Sequence, residues 1–153
     1  MLKVNTGGRR NEKPLTNIQI EEVKMYAVSL GMPKERIYYV DYDCTAYGSA
    51  FDLLRIGTDV YPSEHRRNNA NSNISMHGAI AHEIVGHRMA ALAGKAQSDE
   101  VLEEAQASIR AAKFAPDLSS TERIILYRDA VTRLKNNNIK LKDVKQGLHI
   151  FEE

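Results

Sequence analysis

The sequence predicts an α+β domain in which a short β-sheet packs beside a histidine-bearing helix and two or three further helices. Capped helical stretches dominate the second half of the chain, whereas short β-branched and aromatic stretches lie in the first half. The 153 residues suffice for one hydrophobic core. We expect residues 1–13 to form a flexible lead-in and residues 14–153 to form a single domain.

The first half of the chain is predicted to contain one helix and a few short strands. The helix begins with Thr16 or Asn17 as its N-cap and ends at Gly31. Extended segments follow it at residues 36–41 and 51–61, with a turn around residues 43–48 between them and a break at Gly57.

The second half is predicted to be mostly helical. An asparagine-rich surface loop over residues 62–73 comes first, and Asn71, Ser72 or Asn73 can cap the next helix. Three helices and a final strand are then predicted: residues 74–93, residues 99–114 after Ser98 or Asp99, residues 120–136 after the capping box Ser119–Glu122, and a short strand at residues 146–151.

The helix over residues 74–93 carries the residues that indicate a chemistry. His82, Glu83 and His87 lie inside an apolar stretch, where an acid is costly unless it is paired or bound to a metal. Two neutral imidazoles and a carboxylate form a three-ligand zinc site with a fourth position left open. A glutamate directly after the first ligand is placed to act as general base, so Glu83 is the predicted catalytic residue.

The two histidines stand five residues apart, whereas the common zincin motif places them at i and i+4. On a regular helix, five steps leave the side chains roughly 140° apart, which is too far for one small ion. A single wide π-type turn would realign them, and such turns concentrate at functional sites. Gly86, directly before His87, is the expected position of that turn.

The third ligand is expected from the following helix, where Glu103 and Glu104 are adjacent. Glu104 shares a face with small residues, including Ala107 and Ser108, and this face should pack on the histidine helix. Glu103 shares a face with charged and polar residues that is typical of a solvated surface. We therefore assign His82, His87 and Glu104 as metal ligands. Glu103 would either contact one of these ligands without binding the metal or be the third ligand in place of Glu104.

Two motifs resemble those of the dipeptidyl peptidase III family of zinc peptidases, which carries H-E-x-x-G-H followed by E-E-x-x-A. The matching residues here are 82–87 and 103–107. The resemblance implies that His82, His87 and Glu104 bind zinc and that Glu83 is the general base. The gap between the two motifs is much shorter in this chain than in that family. The resemblance therefore implies a shared design of the metal site, not membership of the family.

A broader pattern resembles the zincin-type metallopeptidase toxin domains of bacterial polymorphic toxins, including Rhs-type proteins. It extends from Leu-Gly-Met-Pro at residues 30–33 through the histidine motif to residues 102–108. The resemblance implies a small zincin-like fold, a protein or peptide substrate and a cognate immunity protein. It also implies secretion or delivery as part of a larger protein into the cytoplasm of a target cell.

A peptidase also needs a group that stabilises the oxyanion and a strand that aligns the substrate. His77 and Tyr127 are the predicted catalytic helpers, and three further residues are open candidates: Tyr61, Arg88 and His149. By analogy with zincin folds, the segment 53–61 is expected to be the edge strand that binds the substrate as an added strand.

The composition and the charge of the chain bear on which other functions and kinds of metal site are possible. A net charge of +1 neither demands nor excludes a polyanionic partner, and a single cysteine excludes a cysteine-rich zinc site. No apolar stretch is long enough to span a bilayer, and the first residues lack a signal-peptide core. A metal-dependent nuclease remains an alternative because of two basic clusters, residues 65–67 and the group Arg133, Lys135, Lys140, Lys142 and Lys145. A second alternative is a helical module with a structural metal. A third is a hydrolase that acts on a non-peptide amide.

Overall fold

A computed structural model describes residues 10–151 of the chain. Its sheet has three strands, β1 (Ile37–Tyr39), β2 (Ala46–Gly48) and β3 (Leu53–Ile56). The central strand β3 runs parallel to β1 and antiparallel to β2. β1 and β2 are therefore the two edges of the sheet.

Most of the described residues are helical. The α-helices are α1 (Asn17–Ser29), α2 (Ala70–Asn73), α3 (Met76–Ala81), α4 (Met89–Leu92), α5 (Glu100–Phe114), α6 (Ser120–Asn136) and α7 (Leu141–Val144). A π-helical segment, His82–Arg88, joins α3 to α4 into one continuous helix over residues 76–92, called the histidine helix below. The predicted α+β class is confirmed, with a short sheet, the histidine helix and three further long helices.

The helix starts follow from side chains that accept hydrogen bonds from the first backbone N–H groups. The capping boxes of α1 and α6 are formed by Thr16 with Gln19 and by Ser119 with Glu122. Asp99 caps α5 by accepting from the N–H of the third residue of that helix. These three helix starts agree with the sequence predictions.

The histidine helix begins later than predicted. Ser75 is its N-cap and accepts from the N–H of Gly78. The residues predicted as its cap instead form the short helix α2, which is capped by Asn69. The asparagine-rich stretch is thus partly helical, because an asparagine there provides a second start signal.

The histidine helix lies between the sheet and the pair α5 and α6. Ile80 and Ile84 are fully buried and pack with apolar side chains of α1 and the sheet. Ala81 and Val85 pack on the other side, against α5, α6 and the connection between them. A helix that is apolar on both sides is buried, as expected for this stretch.

Gly86 allows the histidine helix and α5 to approach closely. A Cβ atom at this position would lie 2.3 Å from the carbonyl oxygen of Ala107. The side chain that would fill this space is therefore excluded by the backbone of the neighbouring helix. The predicted wide turn includes Gly86, and close packing against α5 explains the glycine at this position.

Three local predictions are wrong. β2 forms where only a turn was predicted, because residues 46–48 pair with β3. A 3₁₀ turn, Thr58–Val60, follows Gly57, so the extended segment predicted over residues 51–61 does not continue past this glycine. The predicted final strand is a 3₁₀ turn, Lys145–Leu148, followed by a left-handed residue, His149 (φ 51°), which breaks the extended conformation.

The predicted lead-in is folded over its last four residues, and residues 1–9 lie outside the described part of the chain. Arg10 is only 8% exposed. Its guanidinium donates to four backbone carbonyls, those of Asp59, Val60, Asn71 and Ile74. The folded domain therefore includes residues 10–13, and the predicted boundary at residue 14 is corrected.

Within residues 10–151, none of the helices combines the length and the apolar character that crossing a membrane requires.

Candidate metal centre

The wide turn predicted from the histidine spacing is present. The π-helical segment begins at His82 and includes His87, so that both imidazoles project to the same side of the helix. Their rings are nearly perpendicular, at 83°, and their Nε2 atoms lie 3.1 Å apart. Two side chains that a regular helix would separate therefore meet at one point.

Glu104 of α5 completes a group of three ligand atoms that could hold a metal ion. Its Oε1 lies 3.4 Å from Nε2 of His82, and its Oε2 lies 2.7 Å from Nε2 of His87. Zinc bonds of 2.0–2.1 Å in a tetrahedron place neighbouring ligand atoms about 3.3 Å apart. The Nε2–Nε2 and Nε2–Oε1 distances of 3.1 and 3.4 Å are close to this value, whereas the 2.7 Å contact with Oε2 is shorter. The three side chains could therefore hold a small divalent cation after a modest rearrangement.

The structure distinguishes the two adjacent glutamates of α5. Only Glu104 reaches the Nε2 atoms of the histidines, whereas Glu103 approaches His87 from behind. Oε2 of Glu103 lies 2.6 Å from Nδ1 of His87, and its Oε1 accepts from the backbone N–H of Gln97. Glu103 therefore orients the ring of His87, and Glu104 is placed where it could be a metal ligand.

Hydrogen bonds to both Nδ1 atoms leave the Nε2 atoms facing the cluster. Nδ1 of His82 lies 2.9 Å from Oγ of Ser108, which donates to Oδ2 of Asp129 over 3.0 Å. The same Oδ2 accepts from Nε of Arg133. Each histidine thus has a partner that can hold a proton on Nδ1, which is the arrangement that metal-binding histidines usually adopt.

Glu83 is the only other carboxylate beside the Nε2 atom of His82 within the described residues. Its Oε2 lies 4.0 Å from this atom, and its Oε1 accepts from the N–H of Tyr47 in β2. Burial raises the pKa of Glu83 above its usual value. A carboxylate with a raised pKa can accept a proton and return it near neutral pH.

Three glutamates surround two imidazoles, so the centre attracts positive charge. Burial disfavours protonation of His87, but its contacts with Glu103 and Glu104 outweigh this effect and raise its pKa to about 10. Burial likewise opposes the charged form of Glu104, yet its hydrogen bonds with the two histidines hold its pKa well below the usual range. In the metal-free protein, a proton on His87 supplies the positive charge that a cation would bring.

The face of α5 predicted to be solvated is buried at Gln106 and Arg110, although Glu100 at its start is exposed. Gln106 is fully buried and accepts a hydrogen bond from the side chain of Gln97. Arg110 is 1% exposed and donates to the carbonyl of His149. The end of the chain covers this face, and the sequence of α5 alone could not reveal that contact.

Two cavities open beside the cluster. The smaller has a volume of about 180 Å³ and is bordered by Arg10, Asp59 and Arg133 as well as by the cluster. The larger has a volume of about 370 Å³ and lies between β2 and the start of α5. Small groups can therefore reach the cluster from two sides.

The predicted substrate-binding strand is wrong. β3 occupies most of its first half, and both edges of β3 are paired within the sheet. The edge that faces the cluster belongs to β2, whose residues Ala46 and Tyr47 line the larger cavity. The N–H of Tyr47 that donates to Glu83 points away from β3, on this outer edge.

The structure does not bring the predicted catalytic helpers to the cluster. His77 packs against the ring of Tyr26 and lies 3.8 Å from Glu122. Tyr127 is 44% exposed and lines a separate groove on α6. Neither lines a cavity beside the cluster, and the same holds for the open candidates Tyr61, Arg88 and His149.

Sequence reasoning missed the roles of Asp129, Arg133 and the backbone of Tyr47. A partial signal existed, because Ser108 follows Glu104 by one helical turn and Arg133 follows Asp129 by the same spacing. The packing of α6 on α5, which joins the two pairs, had no sequence signature.

No family model, curated protein or solved structure matches this chain.

Proposed function

We propose that this protein is a zinc-dependent hydrolase and that its reaction is the hydrolysis of peptide bonds. One observation carries the proposal: the ligand atoms of His82, His87 and Glu104 converge, and the carboxylate of Glu83, whose side chain is 14% exposed, lies beside them. This combination of ligands and base is that of zinc peptidases with two histidines and a glutamate.

The donor set supports zinc. Two imidazole nitrogens and one carboxylate oxygen make three ligands, and the open cavities leave room for a fourth. When bound, zinc supplies a Lewis acid that polarises a carbonyl and lowers the pKa of coordinated water. The same residue types also bind ferrous iron in other proteins, so metal analysis is part of the test.

Glu83 acts as the general base and then as the general acid. Its Oε2 takes a proton from the attacking water as the water oxygen bonds to the carbonyl carbon of the substrate. It then returns the proton to the leaving nitrogen as the C–N bond breaks. The hydrogen bond from the N–H of Tyr47 holds Oε1, which leaves Oε2 facing the cluster.

The outer edge of β2 is the proposed docking site for an extended peptide. β2 is an edge strand, and the larger cavity lies between it and the cluster. A peptide added as a strand along this edge would pass Glu83. This placement supports a protein or peptide as substrate rather than a small amide.

The resemblance to polymorphic toxin domains supports a biological role as an effector. We propose that the domain is delivered as part of a larger protein, cleaves a protein in the target cell and is neutralised by a cognate immunity protein. Expression in a bacterial cytoplasm tests this role: the wild-type chain should arrest growth and Glu83→Gln should not, at equal protein levels.

The central experiment compares metal content with activity in three variants. Glu83→Gln should keep the bound metal and lose at least about 100-fold in activity, because only the proton acceptor is removed. Glu104→Ala should lose the metal itself. Glu100→Ala, which removes an exposed acid one helical turn earlier, is the matched control and should change neither property.

Elemental analysis of the purified protein and incubation with a mixed protein pool and with plasmid DNA provide the readouts. Iron in place of zinc would contradict the proposed metal. Plasmid cleavage that depends on Glu83 would favour the nuclease alternative. Metal binding without cleavage of either substrate would favour a structural metal.

A further inference from the structure

A second layer of residues from α5 and α6 lies behind His82. Ser108 and Asp129 are 0% and 3% exposed, and Asp129 contributes no ligand to the metal cluster. The two side chains form a continuous hydrogen-bond chain that begins at Nδ1 of His82 and ends at Asp129. We propose that Ser108 and Asp129 are positioning residues that fix the proton of His82 on Nδ1, so that its Nε2 presents a lone pair to the metal.

The direction of each hydrogen bond in the chain follows from chemistry. Nε of Arg133 can only donate, and it donates to Oδ2 of Asp129 over 2.8 Å. An ionised carboxylate only accepts, so the hydroxyl of Ser108 must donate to it. The oxygen of Ser108 is then free to accept, and Nδ1 of His82 must carry the proton. In the neutral imidazole, which is the form that binds a metal, the remaining nitrogen, Nε2, then carries no proton.

The burial of Asp129 explains why its hydrogen bonds with Ser108 and Arg133 should persist in the folded protein. A carboxylate removed from water is costly without partners, and Asp129 has two, Ser108 and Arg133. Arg133 also lies 4.0 Å from Oε1 of Glu104. Asp129 is thereby linked to His82 through Ser108 and to Glu104 through Arg133, which are two of the three ligands.

A purely structural role of Ser108 and Asp129 would have different consequences in variants of these residues. A serine and an aspartate that only join α5 to α6 would affect stability, with no effect on the metal beyond that loss. A positioning role predicts weaker zinc binding in variants that remain folded. This inference rests on the proposed metal centre, so the experiment includes His82→Ala, which tests the centre itself.

Zinc affinity, measured by competition with a chromophoric chelator, is the first readout. Ser108→Ala should weaken zinc binding about 10–100-fold, the range found when an outer partner of a metal ligand is removed. Ser108→Thr keeps the hydroxyl and should recover most of the affinity. Ser72→Ala is the matched control, because Ser72 is fully buried and its hydroxyl has no hydrogen-bond partner among residues 10–151.

The protonation state of His82 is the second readout and needs no variant. Nitrogen NMR of the zinc-loaded wild-type protein should show His82 with a proton on Nδ1 and the metal on Nε2. A His82 that binds through Nδ1, or that lacks the Nδ1 proton, would overturn the proposal even if Ser108→Ala does not fold.

The outcomes separate this inference from the proposed function. Wild-type zinc affinity in folded Ser108→Ala, together with loss of zinc in His82→Ala, would overturn the positioning role and leave the metal centre standing. Undiminished zinc binding in His82→Ala would overturn the metal centre and this inference with it.

Discussion

Adjacent glutamates on α5 reach opposite sides of the same imidazole. Successive residues on a helix point about 100° apart, and His87 inserts its ring between the two directions. Glu104 meets Nε2 of this ring and Glu103 meets Nδ1. In the proposed metal centre, the pair acts as ligand and orienting group, which would explain why both positions carry a carboxylate.

Gly86→Ala is predicted to destabilise the protein. The new methyl group would meet the backbone of Ala107, which cannot move without shifting α5. We expect a loss of about 1–3 kcal/mol in the free energy of unfolding, the usual cost of overpacking, measured by urea denaturation of metal-free protein.

Gly147→Ala is the matched control for this substitution, because a Cβ atom at Gly147 meets no other atom within 4 Å. Its free energy of unfolding should stay within about 0.5 kcal/mol of wild type. Equal stability of the two variants would show that the contact between Gly86 and Ala107 is looser than described.

At the scale of elements, one ion pair ties the turn between β2 and β3 to the histidine helix. Nε and Nη2 of Arg88 donate to the two carboxylate oxygens of Asp52, and the hydroxyl of Tyr47 donates to the same carboxylate. The hydrogen bonds from Arg88 and Tyr47 lower the pKa of Asp52 from 3.8 to about 2. This turn directly follows β2, in which the N–H of Tyr47 donates a hydrogen bond to Glu83.

The pH dependence of stability should report this ion pair. Because the pKa of Asp52 is lower in the folded state, its contribution is complete above about pH 4 and is lost as the pH falls to about 2. Asp52 is 29% exposed, so solvent screening reduces the contribution to about 1 kcal/mol. Urea denaturation of wild type and Asp52→Asn should give curves that differ at pH 6 and converge near pH 2. A constant difference would contradict the assignment.

Much of the secondary structure was predictable because its signals are local. Thr16, Asp99 and Ser119 start their helices with side chains that contact residues three positions ahead. The five-residue spacing of His82 and His87 predicted the wide turn from geometry alone. The choice of Glu104 over Glu103 also followed from which face of α5 carries small residues.

The remaining features depend on contacts between distant segments. β2 exists because it pairs with β3, and Arg10 is buried because it meets carbonyls about 50 or more residues away. The hydrogen-bond chain from His82 to Asp129 requires the packing of α6 on α5. Such contacts have no period and no local motif, so the sequence could not place the predicted helpers His77 and Tyr127.

At the scale of the whole molecule, the fold contains several buried apolar clusters that do not depend on a metal. We predict that chelated protein keeps its helical circular dichroism and unfolds at a lower temperature than zinc-loaded protein. Zinc at 100 times its dissociation constant should add about 2.7 kcal/mol to stability, because it binds the folded state only. Glu104→Ala should abolish this difference. Complete unfolding on chelation would contradict the prediction.

The extra residue of the π-helical segment also sets the direction of everything that follows it in the histidine helix. Removing one residue there would rotate α4 by about 100° and turn Met89 away from the apolar cluster that it now joins. It would also move Gly86 away from the backbone of α5, against which it now packs. A homologous chain whose two histidines are four residues apart would therefore need compensating changes in α4 and at position 107. Such relatives can be recognised by paired variation at these sites.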